Sequence, residues 1–110
     1  MNTSPDKPLI VLTTAPTEKE AAAIASVLIE KRLAACVSIN GSIRSFFRWE
    51  DKISDEKEVL IIIKSRENLF ENLVAEIKSL HSYELPEILA LPVMTGEKNY
   101  IDWLFRETRR

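Results

Sequence analysis

The chain has one histidine, one cysteine and two glycines, and these scarcities narrow its chemistry at once. His81 stands in the stretch SLHSYELPE, Ser79 to Glu87, with Glu84 and Glu87 close behind it. Imidazole and carboxylate groups are donors for divalent cations, so His81 with these glutamates is the metal set the sequence offers. The competing reading is structural: a histidine at a helix C-terminus can turn its ring toward the free carbonyls there. Spacing alone favours the second.

Cys36 follows Ala34-Ala35 inside a β-like pattern, which suits a small buried side chain better than a nucleophile. No third group is marked to orient a Cys–His pair, so the sequence shows no activated nucleophile and points away from an enzyme. Gly41 and Gly96 lie far apart, which excludes a glycine-rich phosphate loop. Lys and Arg are scattered among Asp and Glu in a chain of net charge −2, leaving no basic stripe for nucleic acid. The apolar runs Leu9–Leu12 and Val59–Ile63 fall far short of the roughly 20 residues that cross a bilayer, so no membrane partner is expected. Met1 to Pro8 is polar, carries two prolines and has no apolar h-region. It therefore reads as a flexible lead rather than a secretory signal. The formal glycosylation sequon Asn2-Thr3-Ser4 has no meaning without a secretory route. A lone cysteine fits a reducing compartment, and the chain reads as cytoplasmic.

The elements that must position these groups follow from periodicity. With 110 residues, 45% of them apolar and 29% charged, one domain over residues 9–110 is expected. Leu9-Ile10-Val11-Leu12 reads as a buried strand ending at Pro16. Thr17-Glu18-Lys19-Glu20 has the form of a capping box, and Ile24, Val27 and Leu28 continue it as an amphipathic helix closed by Glu30, Lys31 and Arg32. Cys36 to Trp49 is β-prone with a turn-like break at Asn40-Gly41. Glu50 to Glu56 is polar and reads as a reversal, after which Glu58 to Lys64 is the most β-prone segment of the chain. Leu69, Leu73, Ile77 and Leu80 mark a second helix over 67–80, with His81 at its end. Ile88 to Leu91, between Pro86 and Pro92, is a fourth short strand. Tyr100, Trp103 and Leu104 share a face of a last helix whose end carries Arg106, Arg109 and Arg110.

The order β-α-β-β-α-β plus a terminal helix predicts an α+β, ferredoxin-like split-βαβ fold: a four-stranded antiparallel sheet, two helices on one face, and a long hairpin. Such a sheet leaves a bare face and edges for a partner to cover. Phe46, Phe47 and Trp49 lie on the hairpin, and two readings stand open for them. They pack under the domain's own helices, or they anchor a neighbouring subunit.

Five segments in order, LTTAP (12–16), KRLAACVSI (31–39), FRWEDKI (47–53), HSYELPEILALPV (81–93) and YIDWL (100–104), resemble the CutA, or divalent-cation-tolerance, family over nearly the whole chain. The resemblance implies a ferredoxin-like homotrimer with a role in tolerance to divalent cations, chiefly copper, and a likeness to nitrogen-signalling regulators. It implies clefts between subunits where a cation or small molecule binds, and Phe46, Phe47 and Trp49 at subunit contacts. Trp49, Glu58, Lys64, Tyr83, Glu84 and Glu87 are the expected cleft residues, with His81 as the metal candidate. Thr13 and Leu80 stand where copper-binding members carry a cysteine and a second histidine, so no cofactor is obligatory and copper binding is expected to be weak. The alternative is a structural trimer that docks other proteins without a small ligand.

Overall fold

A computed structural model describes residues 6–109. The sheet has the order β2-β3-β1-β4, with every neighbouring pair antiparallel. Its strands are β1 (Pro8–Ala15), β2 (Cys36–Trp49), β3 (Lys52–Arg66) and β4 (Ile88–Pro92); the helices are α1 (Glu18–Glu30), α2 (Phe70–Leu80) and α3 (Lys98–Glu107). A single 3₁₀ turn, Glu67–Leu69, leads into α2. The architecture is the expected α+β one.

Alternation along the strands decides where the core sits. Val11, Ile61 and Ile63 present one face of the sheet to Ile24 and Leu28 of α1 and to Leu73 and Ile77 of α2, all fully buried. Burying each such side chain stabilises the fold by about 1.5–3 kcal/mol. The other face carries Ile10, Leu12, Leu60 and Ile62, half-buried, and Leu89 and Leu91, 58% and 48% exposed. Part of that face is covered by α3, pinned through Arg66: its Nη1 donates to the Phe105 carbonyl at 3.2 Å and to Thr108 Oγ1 at 3.3 Å, and its guanidinium lies over the Phe105 ring. Arg66 also pairs with Asp6, whose other oxygen accepts from the Asn68 amide. Asp6 to Pro8 is therefore tied to the domain, whereas the remainder of the expected flexible lead, its sequon included, and Arg110 lie outside the described residues.

Three local expectations are revised. Asn40-Gly41 does not turn the chain: β2 runs straight through it, and the register slips between Asn40 and Ile43, with Ser42 at φ 51°. That is a bulge, one strand absorbing extra residues while pairing continues. The reversal after Trp49 is only Glu50-Asp51, with φ of 50° and 63°; positive φ at both central residues is what a tight type I′ turn demands. Lys52 to Glu56 are consequently strand, not loop, since each pairs across the hairpin with a residue of β2. Third, α1 ends at Glu30 without a basic residue in its last turn, and Arg32 takes a left-handed conformation at φ 58°.

The long hairpin settles one open reading. Beyond the reach of β1 it has no helix over it, and Phe46, Phe47 and Trp49 are 63%, 42% and 41% exposed. They do not pack under the domain's own helices. On one face of this arm Arg44 makes a paired contact with Asp55 at 2.8 and 2.7 Å and lies over the Phe46 ring.

Candidate functional site

The site begins with a capping box that closes only halfway. Thr17 Oγ1 accepts from the Glu20 amide at 3.1 Å, as expected at the N-terminus of α1. The Glu20 carboxylate does not reach back to Thr17. It accepts instead from the amide and hydroxyl of Ser82, at 3.1 and 3.0 Å. This contact clips the segment after α2 to the start of α1.

His81 is the C-cap of α2 through its backbone, its amide donating to the Ile77 carbonyl at 2.9 Å. Its ring, however, does not serve the helix carbonyls. The side chain is fully buried, with Nε2 2.6 Å from the Thr14 carbonyl of β1 and Nδ1 3.0 Å from the Tyr83 amide. An amide can only donate, so Nδ1 accepts and the ring proton lies on Nε2, donating to Thr14. Glu20 Oε2 stands 3.4 Å from Nδ1; a proton there could reach it only by giving up the shorter bond from Tyr83. Both ring nitrogens are thus engaged in holding the 81–83 turn against β1.

The turn aims Tyr83 at the sheet. Its ring sits 4.7 Å from that of His81, and its hydroxyl donates to Glu58 Oε2 at 2.8 Å. Glu58 is a carboxylate only 7% exposed. Burial first, then the hydrogen bond and the nearby charges of Glu58, Glu20 and Glu56, push the Tyr83 phenol well above the usual tyrosine range. We expect Tyr83→Phe to lower stability by about 1–3 kcal/mol, because Glu58 stays buried and loses its donor. The substitution also alters the alkaline limb. Tyrosine in the unfolded chain titrates near pH 10; a raised native value means this contribution is whole below that pH and is lost as pH rises through the native value. Urea midpoints at about pH 8 and about pH 11 should therefore fall more steeply in the natural protein than in Tyr83→Phe.

In front of Tyr83 opens a cleft of about 630 Å³ between the hairpin arm and the 82–85 loop. Phe47, Trp49, Tyr83 and Leu85 supply its apolar walls, and Glu56, Glu84, Lys57, Ser54 and Ser82 its polar ones. Of the expected cleft residues, Trp49, Tyr83 and Glu84 meet here, with Glu58 beneath the Tyr83 hydroxyl. Lys64 is elsewhere, on the open sheet face with Nζ 5.8 Å from the centre of the Tyr100 ring. Glu87 is exposed beyond the loop and does not line the cleft. Sequence reasoning missed Glu20 and Ser82; the second half of the capping box was the signal at Glu20, and it was spent on a partner 62 residues away.

The residues in place do not fit a high-affinity copper centre within one protomer. Among the described residues no three His, Cys, Asp or Glu side chains are arranged to hold a metal. Thr13, fully buried on the core face of β1, has its Oγ1 without a hydrogen-bond partner, and Leu80 is 36% exposed; neither supplies a soft donor. Cys36 is half-buried on β2, with Sγ 3.9 Å from Ser38 Oγ. What remains for a cation is Nδ1 of His81 with Oε2 of Glu20, the first already occupied.

Comparison with known proteins accords with the geometry. A family model described as CutA1 divalent ion tolerance protein matches residues 9–107. The chain belongs to this family. A relative named divalent-cation tolerance protein CutA from Thermus thermophilus is 41% identical over 90% of this chain and 96% of its own. The solved structure of the Thermus thermophilus protein superposes with a TM-score of 0.91 at 40% identity, covering 93% of this chain and 99% of that one. The crystal structure of CutA1 from Oryza sativa gives a TM-score of 0.91 at 38% identity, covering 94% of each chain. Protein CutA of Homo sapiens is 42% identical over 86% of this chain, which spans 53% of that longer protein. The CutA fold and the divalent-cation-tolerance family are thereby shown for this chain.

Proposed function

We propose that the protein acts as a homotrimer in the cytoplasm, in tolerance to or signalling of divalent cations, taking a small ligand in clefts where subunits meet and binding a divalent cation weakly. The observation that carries this reading is uncovered apolar surface: Phe47 and Trp49 at the cleft, 42% and 41% exposed, share by register the sheet face that leaves Leu89 and Leu91 open, and Phe46 and Ile53 are exposed on the arm's other face. A lone domain gains nothing by holding such a surface in water, and a closed ring of identical subunits would bury it. Phe46, Phe47 and Trp49 are the proposed anchors for the neighbour. The half-buried free thiol of Cys36 suits a reducing compartment, and no described helix is long and apolar enough to cross a membrane.

For the cation we assign His81 Nδ1 and Glu20 Oε2. Binding there displaces the Tyr83 amide, so affinity is low and exchange easy. A second reading, a trimer that docks other proteins, is favoured by Met94, 99% exposed and outside the cleft.

Light scattering should return three times the 12.6 kDa chain mass; a single-chain mass overturns the trimer. Zinc or copper titrated into this trimer should bind weakly, and more weakly still in Glu20→Gln. No detectable uptake in either protein removes the cation and leaves the trimer standing.

A further inference from the structure

We propose that the cleft before Tyr83 takes an organic ammonium ion. The inference rests on the cleft reading above and names its ligand class. Two features of the walls lead to it. The first is aromatic: Phe47, Trp49 and Tyr83 border one space. Aromatic faces carry negative quadrupole density that attracts a cation with an apolar shell, and this attraction grows as the site excludes water. A bare metal ion gains little from such walls, because its strong hydration demands oxygen or nitrogen donors.

The second feature is the sign of the surrounding charge, set by strand register. Phe47 pairs with Ser54, Ser45 with Glu56 and Ile43 with Glu58. Since side chains alternate along a strand, Glu56 and Glu58 share the face of the hairpin that carries Phe47 and Trp49. Lys57 borders the cleft, but it pairs with Arg44 and belongs to the opposite face. Glu84 closes the loop side, and Glu20 lies behind through Ser82. Carboxylates thus approach from α1, β3 and the 82–85 loop. The nearest cation on the same hairpin face is Lys52, opposite Trp49 at the turn, and it does not line the cleft. Burial and the hydrogen bond to Glu58 do most to hold Tyr83 protonated, and the charges of Glu58, Glu20 and Glu56 add to it. An anion or a nucleotide would meet carboxylates here. A neutral apolar molecule would leave the two carboxylates Glu56 and Glu84 with Lys57 as the one cation of the lining among the described residues. A tetraalkylammonium group satisfies both walls: its methyls pack on the rings, and its charge answers the glutamates without demanding hydrogen bonds.

The test uses the full chain and two probes of one shape, choline and its uncharged isostere 3,3-dimethylbutan-1-ol, with isobutyrate as the anion. Binding is followed by tryptophan fluorescence, and its absence in Trp49→Phe assigns the response to the cleft rather than to Trp103. Choline should bind about tenfold more tightly than the isostere, and isobutyrate should not register. The double variant Glu56→Gln, Glu84→Gln, which keeps shape and removes charge, should bring choline and the isostere to near parity. If the isostere or isobutyrate binds as tightly as choline, the ammonium assignment is overturned while the cleft survives as a ligand site. If none of the three binds, the assignment is overturned as well, and a single-chain mass by light scattering would then take the inter-subunit cleft with it. A trimethylated lysine side chain presented by a protein offers the same chemistry as a free tetraalkylammonium ion; trimethyllysine as a free amino acid and within a short peptide tells the sources apart, since a flanking contact would favour the peptide.

Discussion

Replacing His81 with alanine is expected to cost the fold about 2–4 kcal/mol, measured by urea unfolding at a fixed protein concentration. The expectation follows from two bonds and a void. The ring is fully buried, its Nε2–H satisfies the Thr14 carbonyl, and its Nδ1 receives the Tyr83 amide. Alanine leaves both backbone groups without these partners and removes the ring that Tyr83 packs on. Tyr83 then loses its aim at Glu58, so the damage spreads to a second buried carboxylate contact. Had the histidine only terminated α2 at the surface, the substitution would shift stability by no more than about 0.5 kcal/mol. A change that small would refute the role assigned to the ring.

The second large effect is on association. Leu91 lies opposite Ile10 on the open sheet face, 48% exposed in the single chain. Leu91→Arg should leave the protomer folded, because the side chain can extend into water, and should weaken the proposed trimer at least about a hundredfold. The asymmetry is physical: an arginine placed in an apolar contact must shed its hydration without gaining a partner. Circular dichroism should therefore be preserved while light scattering falls from three chains to one. A variant that remains trimeric shows that the open sheet face does not carry the contact.

Periodicity and capping chemistry made the order of elements readable, because burial on one face imposes its repeat on the sequence itself. Ile24 and Leu28, or Leu73 and Ile77, announce their helices whatever lies opposite. The site was less readable, for a reason visible at Glu20. Its position three residues after Thr17 marks it for local capping, yet Ser82 offers it two donors at once, and sequence spacing carries no record of that competitor. Lys64 shows the converse case. Its family pattern placed it with Tyr83 and Glu84, but the sheet carries it to the Tyr100 side. Glu50-Asp51 was hidden because neither residue is the glycine or asparagine that usually betrays a tight turn. The strain of that turn is accepted where the strands on either side hold it.

The hairpin arm has a thermodynamic consequence of its own. From Lys52 to Glu58, β3 is paired with β2 alone, since β1 reaches only from Val59 onward. A two-stranded ribbon is marginal in water, so this part of the molecule sits at the low end of the local stability scale, far below the sheet that roots it. Its order is then lent by whatever covers it. In the proposed trimer, assembly and completion of the fold would become one linked equilibrium: the cleft wall formed by Phe47 and Trp49 would firm up as subunits gather, and the affinity of the proposed ligand would inherit a dependence on protein concentration.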